Sequence, residues 1–139
     1  MTDLIEVKTA DLAGEALGWA VGMAEGLTLH LEPPQYGNGW RVFAIYRGEA
    51  TERCERYNPW EAWALGGPLI EKYQIALVPE AHDGMEGTEL SERWFGDVYY
   101  SGGDQYTTEH CSTALIAACH AVVATVFGDT VQVPKELIP

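Results

Sequence analysis

The segment "YNPWEAWALGGPLIEKYQIAL", residues 57–77, divides a strand-rich first half from the remainder of the chain, and its reading decides how helices and strands are layered. Asn58 followed by Pro59 is a helix entrance: asparagine caps free amides, and proline suits the first helical position. "WEAWAL" then makes about one and a half turns, with Trp60 and Trp63 three apart on neighbouring faces. Gly66 is expected to end that turn, Gly67 to continue the bend, and Pro68 to open a second turn, "PLIEKY". Two successive helical starts would leave amides around Gly66, Gly67 and Leu69 pointing outward, where glycine lets an anion approach closely. The tryptophans then either plug the core, as buried aromatics usually do, or wall a pocket beside an amide nest.

Arg47, Arg53 and Arg56 stand just upstream, three of only five arginines in the chain. A guanidinium suits phosphate and stacks on bases or indole, so Arg53 and Arg56 are candidate phosphate partners for such a pocket. Scattered surface arginines are the plainer reading of the same residues.

Working outward, "LIEVK" alternates as a short strand, and Thr9 is a candidate N-cap for the helix in "ADLAGEALGWAVGMAEG". Leu12, Ala16, Trp19, Ala20 and Met23 make a buried stripe at helical spacing, and Gly26 supplies a left-handed stop. "LTLHLE" points Leu27, Leu29 and Leu31 inward and His30 outward. "PPQYGNG" is a turn, with Asn38-Gly39 favouring reversal. "WRVFAIYR" places Val42, Ala44 and Tyr46 on one face, and "GEATERCERY" reads as a further hairpin. "QIALV" and "RWFGDVYYS" are strands on either side of an acidic loop, "PEAHDGMEGTELSE". The run "ALIAACHAVVATVF" reads as a buried helix capped between Thr107 and Thr113 and stopped by Gly128. Its expected stripe is Leu115, Ala118, Cys119, Val122 and Val126. "TVQVP" adds an edge strand ended by Pro134. The expectation is one α+β domain over residues 1–139: a small, mainly antiparallel sheet, two main helices on one face, and short helical turns in the connections.

The totals narrow the function classes. With 8 basic against 21 acidic residues, the net charge of −13 opposes nucleic acid phosphates, so direct DNA or RNA binding is not expected. No apolar run reaches the roughly 20 residues of a membrane span, and "MTDLIEVK" lacks the basic start and apolar centre of a secretory signal. Cys54, Cys111 and Cys119 are an odd, unpaired set, most simply kept in a reducing cytoplasm. On one helix Cys111 and Cys119 would lie two turns apart, too far to share a metal at ligand distances near ~2.3 Å. Neither a metal nor another cofactor is expected. No Gly-x-Ser-x-Gly, P-loop, His-Glu-x-x-His or Gly-x-Gly-x-x-Gly motif is present, and Glu71, Glu109 and His110 have no spacing that fixes acid–base roles. A non-enzymatic protein with no catalytic residues is the expectation.

Three blocks carry a resemblance: "VKTADLAGEALGWAVGMAEG", "YNPWEAWALGGPLIEKYQIAL" and "STALIAACHAVVATVFGDTVQVPKEL". They resemble, in order and over roughly half the chain, the NinX-like phage protein family, with its Val-Lys-Thr start, Asn-Pro…Trp…Gly-Gly-Pro segment and Val-Pro-x-Glu-Leu close. Trp60 and Glu61 stand where that family usually carries a small hydroxyl residue and its neighbour. The resemblance implies a phage accessory protein made in the cytoplasm of a bacterial host, and implies no reaction. Asn-Pro-x-x-x-Trp is also similar to a motif of small phage proteins that capture nucleotide signals of bacterial immunity.

Two functional expectations follow. The first is a sponge for a small anionic, nucleotide-derived ligand, with Asn58, Trp60, Trp63, Gly66 and Gly67 forming the pocket and Arg53 and Arg56 holding phosphate. A homodimer or higher homo-oligomer would close over it. The alternative is an acidic inhibitor of a host defence or DNA-processing enzyme, whose carboxylates imitate duplex phosphates spaced by ~1.7 Å along the axis. Glu49, Glu52, Glu55 and the acidic loop are its support.

Overall fold

The computed structural model describes residues 3–84, 87–99 and 105–139. Strand β1 (Leu4–Lys8) leads through a 3-10 turn at Thr9–Asp11 into helix α1 (Gly14–Ala24). Strands β2 (Thr28–Glu32), β3 (Arg41–Arg47) and β4 (Glu52–Arg56) follow, then helix α2 (Trp63–Tyr73). The long strands β5 (Ala76–Gly84) and β6 (Gly87–Tyr99), the short β7 (Gln105–Thr107), helix α3 (Ala114–Phe127) and strand β8 (Thr130–Pro134) complete the order. The class is α+β, and every strand pairing described is antiparallel. The strands divide into three small sheets: β1–β8, β2–β3–β4 and β5–β6–β7.

A helix that is apolar all round has to be enclosed, and α3 is. Leu115, Ala117, Ala118, Cys119, Ala121, Val122 and Val123 are buried on every side of it, against α1, α2 and the inner face of β6. Val126, expected in its buried stripe, is instead 44% exposed, because the last turn projects beyond the core. Thr113 caps the helix, its Oγ1 accepting from the Ile116 amide at 3.1 Å, and Gly128 ends it at φ +81°.

Helix α1 begins later than expected. Thr9 is buried in the preceding turn and donates its hydroxyl to the Gly128 carbonyl at 2.7 Å, tying the start of the chain to the end of α3. Leu12, Ala16, Leu17, Ala20 and Val21 form the core face, whereas Met23 is 46% exposed and Trp19 only half-buried. Those two line an open apolar groove of about 430 Å³ with Leu4, Phe127 and Val131. Gly26, at φ +71°, makes the expected left-handed stop. Across β3, Val42 and Ala44 are fully buried and Tyr46 partly so, as the alternation predicts. The reversal before β3 falls on Tyr36 and Gly37, both at positive φ, two residues ahead of Asn38-Gly39.

Two connections differ from expectation. The segment 66–68 does not bend: α2 runs through Gly66, Gly67 and Pro68 as one helix. Proline normally clashes with the Cβ of the residue before it in helical conformation, and Gly67 has none. The amide that Pro68 lacks would have served the carbonyl of Ala64, an exposed residue. The acidic segment after Val78 is not a loop but the paired ends of β5 and β6, closing at Gly84 and Gly87 with a bulge between Pro79 and Ala81. Charged side chains do not prevent this, because a ladder needs only backbone partners; residues 85 and 86 lie outside the described residues.

One buried titratable group gives a pH prediction. His120 lies in α3, 4% exposed, with Nε2 donating to the Leu12 carbonyl at 2.8 Å. Burial holds its pKa below the ordinary 6.5. Above that value neither folded nor unfolded chain carries the proton. Below it the unfolded chain takes up a proton more readily, so stability falls with falling pH, by at most about 1.4 kcal/mol per pH unit. Thermal melts from pH 7 to pH 5.5 are expected to show this slope, and His120→Asn to flatten it. An equal slope in the variant would refute the assignment.

Candidate functional site

The turn that precedes α2 is built from Asn58 and Pro59. The Asn58 carbonyl accepts the amides of Glu61 and Ala62 at 3.1 and 3.0 Å, and its side chain donates to Glu61 Oε1 at 2.8 Å instead of capping the helix. Pro59 is fully buried. Trp60 therefore points inward, half-buried, into the space left by Gly18 of α1, where an added Cβ would meet its ring at 2.4 Å. Trp63 opens α2 and is 60% exposed.

Between the indoles and the first turn of α3 lies a cleft of about 230 Å³, lined by Trp60, Glu61, Trp63, Thr113, Ala114 and Leu115. Ala114 and Leu115 are the first two residues of a fourteen-residue helix, so their amides have no partner within it, and the helix dipole presents its positive end here. The cleft thus combines aromatic walls with main-chain donors. It is smaller than the roughly 300 Å³ at which enclosed ligand pockets begin, so it holds one ring or one phosphate and leaves the rest of a nucleotide outside.

Both tryptophans expected at the site line this cleft, and the glycines expected beside them do not. Gly66 is buried inside α2 with its amide bonded to the Ala62 carbonyl at 2.9 Å, and Gly67 follows within the same helix. No bend exists there to expose a nest, and the free amides belong to α3 instead. Thr113, Ala114 and Leu115 went unnoticed as lining because their capping signal says nothing about which tryptophan faces it.

The arginines are also elsewhere. Arg56 donates to both oxygens of Glu15, at 2.8 and 2.5 Å, and to the Val42 carbonyl at 3.0 Å. It lies 5.7 Å from the Trp60 ring centre but outside the cleft lining. Arg53 pairs with Glu55 at 2.7 Å and sits over Tyr46. Neither guanidinium faces the cleft as a free phosphate partner, since each already has a carboxylate.

Cys54 is exposed and Cys111 and Cys119 are buried, all as free thiols. Cys111 precedes α3 and bridges to Trp94, while burial pushes the Cys119 thiol up to about 12, which keeps it inert.

With this geometry in view, the chain matches the family described as "Bacteriophage P22, NinX" over residues 8–125. It belongs to the phage P22 NinX family. No curated protein matches it. The NinX match begins in β1 and ends near the last turn of α3, so both sides of the tryptophan cleft lie within the family's extent. Among the described residues of this NinX chain no helix is long and apolar enough to cross a membrane.

Proposed function

We propose that this NinX-family protein is a phage accessory factor that sequesters a small anionic, nucleotide-derived ligand in the host cytoplasm, without chemistry. The observation that carries this reading is the pair of indoles facing the amino end of α3 across an open cleft. An aromatic ring between Trp60 and Trp63 stacks favourably, and an attached phosphate gains from the Ala114 and Leu115 amides. Glu61 lies in the same lining and favours a ligand hydroxyl or amine beside the phosphate. Because the cleft covers only part of a nucleotide, tight retention calls for a lid, and a second copy docked over the exposed Trp63 is the proposed one.

Calorimetry against cyclic and ADP-ribose-like nucleotides tests the reading. Saturable binding is expected, with Trp63→Ala weakening it about 5- to 150-fold, the range of one lost stacking contact. The same variant is expected to leave stability within about 0.5 kcal/mol, since the side chain is mostly in solvent. No heat and no thermal shift across the panel would end the proposal. The acidic-inhibitor alternative is weakened by Glu52 and Glu55, which are paired with Arg47 and Arg53 and so offer less net charge to a partner.

A further inference from the structure

A second polar cavity, of about 460 Å³, opens on the outer side of the β5–β6–β7 sheet and is lined by Arg93, Thr107, Thr108, Glu109 and His110. Alternation along β6 separates it from the tryptophan cleft: Gly96 and Val98 turn toward the core and α3, while Arg93 and Phe95 turn away. His110 is held from two directions. Its ring stacks on Phe95 at 5.4 Å between centres, and its Nδ1 lies 2.8 Å from Glu80 Oε1. A carboxylate only accepts, so the proton sits on Nδ1, and in the neutral ring Nε2 is left as an acceptor. Glu109 adds a second acceptor in the same cavity.

Arg93 supplies the opposite character. Arg47, Arg53, Arg56, Lys72 and Lys135 each have a carboxylate partner. Arg93, like Lys8 and Arg41, has none among the described residues, in a chain where acids outnumber bases 21 to 8. A guanidinium with no carboxylate partner among the described residues, beside the held imidazole of His110 and the carboxylate of Glu109, matches a molecule that carries an oxyanion and neighbouring hydroxyls. We propose that this cavity binds a phosphorylated sugar, with Arg93 on the phosphate and Glu109 and His110 Nε2 accepting from its hydroxyls. The site stands apart from the tryptophan cleft and does not depend on it.

The test is a titration of the ¹⁵N-labelled full chain with ribose 5-phosphate, followed at the His110 imidazole nitrogens. Ribose alone and inorganic phosphate alone serve as half-ligands. A saturable shift at His110 is expected, weakened about tenfold or more in Arg93→Met, the loss of one charge-assisted contact. Glu109→Gln should weaken ribose 5-phosphate while leaving inorganic phosphate unchanged, and the backbone spectrum of each variant reports its folding. No His110 shift, an Arg93→Met variant that binds like the parent, or half-ligands that bind as tightly as the whole would each overturn the assignment.

Discussion

Gly66→Ala is expected to lower the melting temperature by roughly 5–10 °C, although alanine is the better helix former. A Cβ at this position would stand 2.5 Å from the Pro59 carbonyl oxygen and 2.7 Å from Leu115 Cδ2. Leu115 can shift its rotamer, but Pro59 is fully buried and its carbonyl belongs to the turn that seats Trp60. Overpacking of this kind costs about 3 kcal/mol, and helix propensity returns about 1, leaving a net loss near 2 kcal/mol. At Gly67 an added Cβ would meet Trp63 Cε3 at 4.0 Å and no other distant atom, but in helical backbone it would stand against the Pro68 ring, so Gly67→Ala is also expected to destabilise, through its chain neighbour and not through the core. Thermal denaturation of Gly66→Ala against the parent checks this. A Gly66→Ala protein that melts at or above the parent would mean that α2 does not approach Pro59 so closely.

Arg56→Met should destabilise the fold by about 2–3 kcal/mol. The Arg56 side chain, 30% exposed, and the Glu15 side chain, 22% exposed, are joined by two hydrogen bonds. Glu15 also accepts the Val42 amide at 2.8 Å, while Arg56 donates to the Val42 carbonyl. The pair therefore fastens the start of α1 to β3 and β4. Methionine keeps the apolar stem but leaves a half-buried carboxylate with one donor. Fully buried pairs lose about 3–5 kcal/mol when one partner goes, and exposed ones about 0–1, so partial burial places this one between. A denaturant double-mutant cycle with Glu15→Gln should give a coupling of about 1–3 kcal/mol. The same variant separates two roles for Arg56: a phosphate partner would lose ligand binding at unchanged stability, whereas a fastener loses stability first. A coupling near zero would remove the structural role.

Much of the fold was legible locally. Val42 and Ala44 alternate into the core because a strand has period two, and Gly26 and Gly128 end helices because left-handed backbone suits a residue without Cβ. Thr113 caps α3 for the same kind of near-neighbour reason. Asn58, Trp60 and Trp63 stand together in the sequence, and the two indoles line one cleft.

What the chain order alone determined is the α+β class, the strand and helix faces set by short-range periodicity, and the family it belongs to. Tertiary structure decided the rest, because each remaining point turns on contacts between residues far apart in sequence. Gly66 and Gly67 look like punctuation until Pro59 and Leu115 arrive to require a bare Cα at the first of them. The arginines look free until Glu15 and Glu55 claim two of them. The donors facing the tryptophans come from a helix some fifty residues on, placed there by packing that no local pattern encodes.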